Sequence, residues 1–337
     1  MRNRFAKVLL LAGLIMVGAG AAHAAGFNIY EAGARATALG CAFTATADDG
    51  SALFYNPAGL SFLTGTKASL NIMPVGPRFS FTEATDMASD PASYDAANNW
   101  YLVPGAYYTH NDGGKLSYGF GVYAPFGLGV EWLEPETWIG RQVSYDVSIQ
   151  TVYFTPAASF LLRPDLAFSF GLDVAHQTLE LNKYSLNSVT GDNAIDTKIE
   201  GTGNWNVTPT LGVMYRSTER FSFGMMYHHK KTIAYEDQDA TLTPEPGSTF
   251  GETVVGTLGG SDQKISADFK IPYIMSFGAA YRFCERMALE VDYVRFGWEH
   301  FDELYMDFDN DALDQAITFN YENTWQAVSY THLRAHE

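Results

Sequence analysis

The sequence predicts an all-β fold, a transmembrane antiparallel β-barrel carrying a compact plug inside it. Three observations predict it. Apolar and polar residues alternate with a period of two along segments spread between residues 65 and 329. The links between those segments alternate between short turns and much longer loops. Ahead of them stands a turn-rich segment, 25–64, whose stretch from Gly33 to Ala47 is too rich in Ala, Gly and Thr to form a core of its own.

The elements follow in order. Arg2, Arg4 and Lys7 precede an unbroken apolar run from Val8 to Ala22, closed by Ala22-His23-Ala24. A basic start, a short apolar centre and a small-x-small site are the marks of a cleaved secretory signal, 1–24. The run is shorter than the roughly 20 residues a membrane helix requires, and no later stretch reaches that length. A mature chain that crosses a membrane therefore crosses it as strands. Residues 1–24 hold three of the 21 basic residues and none of the 38 acidic ones, so their removal leaves 18 against 38, a net charge of −20. Such a surface repels phosphates and argues against nucleic acid as a partner. Aromatic residues make up 15 %, with 20 Tyr and 23 Phe, which favours strands and interface belts.

The plug segment ends in Asp48-Asp49-Gly50-Ser51-Ala52-Leu53-Phe54-Tyr55-Asn56-Pro57-Ala58-Gly59-Leu60. Asn-Pro-Ala-Gly marks a tight turn, since Pro fixes φ and Asn and Gly tolerate bends. Ten strands are then predicted: 65–82, 99–110, 115–125, 143–162, 166–182, 204–216, 221–236, 265–283, 287–301 and 316–329. The links at 111–114, 163–165, 217–220 and 284–286 are short, whereas 83–98, 126–142, 183–203, 237–264 and 302–315 are mostly long. That segregation describes an outer-membrane barrel. A soluble sandwich has no reason to sort its loops so cleanly.

The strand faces agree. Leu166, Phe168, Phe170, Leu172 and Val174 alternate with Ala167, Ser169, Gly171 and Asp173, and Met287, Leu289, Val291 and Tyr293 with Ala288, Glu290 and Asp292. Period two with one apolar face means strands half-buried in something greasy. Charge on the other face separates a lumen from a sandwich core: Asp173, Glu290, Asp292, Arg216 and Arg282 fit a polar bore where opposite charges pair. Residues 143–162 are apolar on both faces, and Pro156 and Pro209 imply bulges or local openings of the ladder.

Several motifs carry no chemistry. Gly119-x-Gly121-x-x-Ala124 matches a dinucleotide fingerprint, but it lies within a strand and opens no helix. His228-His229-Lys230-Lys231, at a strand end, reads as a solvated rim rather than a metal or catalytic site. No Gly-x-Ser-x-Gly, His-Glu-x-x-His or spaced cysteine pair occurs. No catalytic residue, metal site or cofactor is assigned. Cys41 and Cys284 are the two cysteines of an exported chain; they are read as unpaired, with a disulfide as the alternative.

"GFNIYEAGARATALG" followed by "ADDGSALFYNPAGLSFL" resembles the N-terminal signature of the FadL-type outer-membrane transporters of long-chain fatty acids and aromatic hydrocarbons. Ala124-Pro125-Phe126-Gly127-Leu128 with Trp138-Ile139-Gly140-Arg141, then Ile271-Pro272 and Trp298-Glu299-His300-Phe301, extend the resemblance from about Gly26 to Trp325. It implies passive uptake of small hydrophobic molecules through an internal pocket with a lateral exit gated by the plug. A structural or adhesive barrel and an outer-membrane lipid hydrolase are the alternatives. The family's Asn of Asn-Pro-Ala reaches an inward kink of the third strand; here that residue is Asn56, followed by Pro57, and the kink should lie within Gly119, Gly121, Pro125, Phe126 and Gly127. Phe27 resembles the N-terminal aromatic that fills the internal pocket. The position after Trp298-x-x-Phe301-x-x-Leu304, where fatty-acid members place a cation, is Tyr305, and Val174 to Leu181 contains no Arg or Lys. A neutral ligand is therefore expected, with Arg141 as the residue able to reverse that preference. The expected partners are this ligand, outer-membrane lipid and lipopolysaccharide, and the barrel-assembly machinery, with a monomer at full length. The family has fourteen strands and ten are predicted here. The tail 330–337 matches nothing in the family and reads as truncation or foreign sequence.

Overall fold

A computed structural model describes residues 26–84, 91–187, 189–218, 220–284 and 287–333; the predicted signal 1–24 lies outside them. The strands are β1 Gly65–Val75, β2 Ser80–Thr82, β3 Ser93–Asp95, β4 Tyr101–Asn111, β5 Leu116–Glu131, β6 Asp146–Arg163, β7 Leu166–Leu186, β8 Asn193–Thr202 and β9 Asn206–Thr218. After them come β10 Phe221–His228, β11 Lys231–Pro244, β12 Asp262–Ile271, β13 Ile274–Cys284, β14 Met287–Phe296, β15 Glu303–Phe308, β16 Gln315–Thr318 and β17 Thr324–Leu333.

An antiparallel wall runs β1-β4-β5-β6-β7-β9-β10-β13-β14-β17 and curves around residues 26–64. Among the described residues β1 pairs with β4 alone and β17 with β14 alone, so the sheet is a barrel wall without a closing seam. At β7 the wall divides. Leu166–Ala175 pairs with β9, whereas Thr178–Leu186 pairs with β8, which starts a second branch, β8-β11-β12-β15-β16. The short links between strands mark the periplasmic end, and the branch rises from the opposite, outer end.

The branch corrects the sequence reading. Three links expected as loops, 183–203, 237–264 and 302–315, contain β8, the end of β11 with the helix Thr249–Thr257 and the start of β12, and β15. Conversely, the runs 221–236, 265–283 and 287–301 are broken at 229–230, 272–273 and 297–302. The breaks have local causes. Pro272 cannot donate to the ladder. Gly297 passes so close to the Tyr273 ring that a β-carbon would collide with it, while its N–H bonds the Tyr273 carbonyl at 2.9 Å. The first predicted strand likewise ends early, at Val75, and 80–82 forms a separate hairpin with β3.

The alternation holds along the wall. In β7, Ala167, Ser169, Asp173, Ala175 and Gln177 are buried inside, while Phe168, Phe170 and Leu172 are exposed outside, as lipid-facing side chains must be. No helix among the described residues is long and apolar enough to cross a membrane.

Inside the wall, residues 41–45 and 51–60 are buried without exception. Small residues leave their backbone polar groups in search of partners, and wall side chains supply them. Asp292 Oδ2 accepts from the N–H groups of Phe43 and Thr44, each at 2.8 Å. Glu290 Oε1 accepts from those of Ala45 and Thr46, at 2.8 and 3.1 Å. Arg216 donates to the Thr46 carbonyl at 2.8 Å, and Ser222 to that of Ala45 at 2.8 Å. Glu290, Asp292 and Arg216 thus line the lumen as expected, but they grip the enclosed segment's backbone instead of pairing across the bore. Gly224 permits this approach, because a β-carbon there would meet the Thr44 carbonyl.

Candidate functional site: the broken third strand and its aromatic chamber

β5 is the third strand of the wall. Its ladder to β4 runs from His110↔Tyr118 to Gly105↔Tyr123 and stops. Its ladder to β6 shifts register between Tyr123 and Phe126, across Ala124-Pro125. Proline brings no N–H and a fixed φ, so the strand cannot continue flat through this point. The vacated edge is taken by the chain's own N-terminal residues. Ile29 N–H bonds the Pro125 carbonyl at 2.7 Å, Gly127 N–H bonds the Phe27 carbonyl at 3.0 Å, and Asn28 Nδ2 adds a bond to Pro125 O at 3.0 Å. The interruption ends where Ala97 N–H bonds the Glu131 carbonyl at 2.7 Å. Between those limits the Tyr101 side chain lies against Gly129. The break in the ladder falls within Gly119–Gly127, the stretch in which the kink is expected, at Ala124-Pro125.

Phe27 anchors this segment in an aromatic chamber. Its ring centroid lies 5.0 Å from Trp298, 5.5 Å from Phe301, 5.7 Å from Phe269 and 5.9 Å from Phe126, in tilted or edge-on contacts. Such geometries let ring edges meet ring faces. Phe301 stacks on Phe319 at 4.7 Å, and Trp298 contacts Tyr321 at 6.0 Å. Phe126 leads on to Tyr153 at 6.4 Å, and Tyr153 to Tyr123 at 5.9 Å. A continuous aromatic track therefore joins the outer end to the broken strand. Trp298 Nε1 is buried without a partner among the described residues.

Beside the track is a buried charged cluster. Asp173 meets His228 Nδ1 at 2.7 Å, Lys231 Nζ at 3.3 Å and the Thr155 hydroxyl at 2.9 Å. His228 Nε2 reaches the Phe54 carbonyl of the enclosed segment at 2.9 Å. Lys231 Nζ also sits 4.3 Å from the centre of the Tyr153 ring, a cation–π contact. The β6–β7 ladder skips Thr155 and Pro156 at this height, the local opening expected of Pro156. His228 and Lys231 are thus not solvated rim residues. His228 shares the inward parity of Met226 and Gly224, and Asp173 was the inward charge awaiting a partner; together those signals pointed to it. Lys231 follows the break at 229–230, which resets the parity and hid it.

Other expected site residues lie elsewhere. Asn56 does not reach the third strand. Its Nδ2 donates to the Thr44 carbonyl at 2.9 Å and to Val213 O of β9 at 3.0 Å, while Oδ1 accepts from Ala58 N–H at 3.2 Å. Pro57 opens the buried turn Pro57–Phe62. Gly119 and Gly121 make room for Leu53, the residue that does pack on β5. Tyr305 points outward and bonds Asp314 at 2.8 Å, because its inward neighbours on β15 are Leu304 and Met306. Arg141 is held in the outer loop by Asn193 at 2.6 Å and the Trp138 carbonyl at 3.0 Å. Cys41 is buried and Cys284 exposed, and both are free.

These features define a class: a plugged outer-membrane β-barrel of the kind that carries solutes. The model of the outer membrane protein transport family (OMPP1/FadL/TodX) matches residues 15–331, and the chain belongs to that family. It is 23 % identical over 318 residues to the 47 kDa outer membrane protein of Pasteurella multocida, covering 90 % of this chain and 72 % of that one. Among solved structures it is similar to a FadL homologue of Pseudomonas aeruginosa, with a TM-score of 0.67 and 17 % identity over 90 % of this chain and 74 % of that one. The toluene transporter TodX of Pseudomonas putida gives a TM-score of 0.65 and 20 % identity over 87 % and 78 %. At these identities the likeness is one of fold.

Proposed function

We propose that the protein admits small, uncharged hydrophobic molecules, aromatic hydrocarbons among them, through the outer membrane by way of the chamber now filled by Phe27. The molecule takes the place of the Phe27 ring, frees residues 27–29 from the edge of β5, and leaves sideways where β4 and β5 are unpaired. The observation that carries this reading is that one short segment both fills the chamber and seals the broken strand. A single ligand can undo both contacts. Burial of an aromatic group of about 150–250 Å² returns roughly 4–6 kcal/mol, enough to compete with the displaced ring.

The preference for an uncharged ligand rests on the fate of the cations. Lys231 is already paired with Asp173, Arg141 is bound in the outer loop and Tyr305 faces away. A carboxylate in the chamber would lose its hydration while none of these three side chains is free to pair with it. At neutral pH toluene is expected to bind the purified chain more tightly than oleate. Tighter oleate binding that is lost in Lys231→Met would overturn the neutral-ligand reading.

A further inference from the structure

On the opposite side of the enclosed segment, at the short-turn end of the wall, lies a second cavity of about 410 Å³. Its volume is within the usual range for small-molecule sites. Three arginines line it: Arg216 from β9, Arg220 from the turn that follows, and Arg282 from β13. The chain as a whole carries a net charge of −17, so this convergence runs against its composition. Asp48 is the one acidic side chain among the described lining residues, and it is already salt-bridged to Arg35. Arg216 is stacked over the Phe62 ring at 4.4 Å and spends one donor on Thr46. Among the described residues the guanidinium groups of Arg220 and Arg282 have no hydrogen-bond or ion-pair partner.

Like charges gathered in a concave site repel one another unless a counter-ion joins them, and planar guanidinium forks match tetrahedral oxyanions. We propose that this cavity is a binding site for a phosphate group, entered from the periplasmic face and separate from the aromatic chamber. Arg216 links the site to the enclosed segment, because it holds the Thr46 carbonyl while Glu290 holds the Thr46 N–H. Phosphate bound there locks the guanidinium that clamps Thr46, so occupancy stiffens the inner segment at 43–46.

The test uses the full chain folded in phospholipid-free detergent and titrated with pyrophosphate, against sodium chloride at matched ionic strength. Pyrophosphate is expected to raise the melting midpoint and slow amide exchange at 43–46 in the wild type. Both effects should vanish in the Arg220→Ala/Arg282→Ala double variant, whose own midpoint and gel mobility show that it folds. Arg220→Lys/Arg282→Lys keeps the charge but loses the fork, and should bind more weakly than wild type. A parallel arm in nanodiscs with phosphatidylglycerol separates the sources: protection without added pyrophosphate identifies a lipid headgroup, and protection on addition alone a soluble phosphate. Equal effects of chloride and pyrophosphate, or an undiminished response in the double alanine variant, would overturn the proposal.

Discussion

Asp173 holds His228, Lys231 and Thr155 together in a site without water-exposed surface. Removing one partner of a buried ion pair strands the other charge, at a cost of about 3–5 kcal/mol. Asp173→Asn should therefore lower the urea midpoint markedly, and Asp173→Asn/Lys231→Met should recover much of the loss. If the single and double variants unfold at the same urea concentration, the cluster is not an ion pair of this strength. The two cysteines offer a second check. Burial pushes the Cys41 thiol up to about 11, so near pH 8 it stays protonated and unreactive, whereas Cys284 is exposed. Maleimide should label one thiol per folded chain and two after denaturation, and the folded-state label should map to Cys284. Labelling of Cys41 in the folded chain would mean that the inner segment is loosely held.

In the proposed route, the elements that decide transport are a strand that breaks and a segment that mends it. Phe27→Ala empties the chamber while leaving the backbone bonds to β5, so a ligand no longer has to displace a ring. Tighter toluene binding with unchanged strand content is the expected outcome, because the binding-competent state no longer has to be made; weaker binding would show that Phe27 is part of the ligand's seat. Much of this was legible in the sequence. Pro125 among glycines marked the break in the ladder, and Phe27 was recognisable from its place in the resemblance. The alternation around Asp173 placed the lumen face. Asn56 was read too far, because the carbonyls it caps belong to Thr44 and to β9, a contact distant in sequence. The second branch escaped because the strands that bend into it, at 229–230, 272–273 and 297–302, keep similar composition through breaks made by contacts elsewhere in the fold. A β-carbon's collision with Tyr273 at Gly297 cannot be seen from neighbours in the chain.

Across the whole molecule the wall and the enclosed segment depend on each other. The segment has no core without the wall, and Glu290 and Asp292 would be buried carboxylates without the four backbone N–H groups it supplies. Glu290→Leu should free residues 45–46 and speed amide exchange there, with strand content retained; unchanged exchange would place the clamp elsewhere. In the proposed mechanism, ligand replaces Phe27 and releases the segment from β5. A spin label on Asn28→Cys, in a Cys41→Ser/Cys284→Ser background, reports that event, because the backbone bonds of Ile29 to Pro125 and of Gly127 to Phe27 do not depend on the Asn28 side chain. The label should be restricted in the free protein and become mobile as toluene saturates the chamber. A label that stays restricted while bound toluene is measured in the same sample would contradict it.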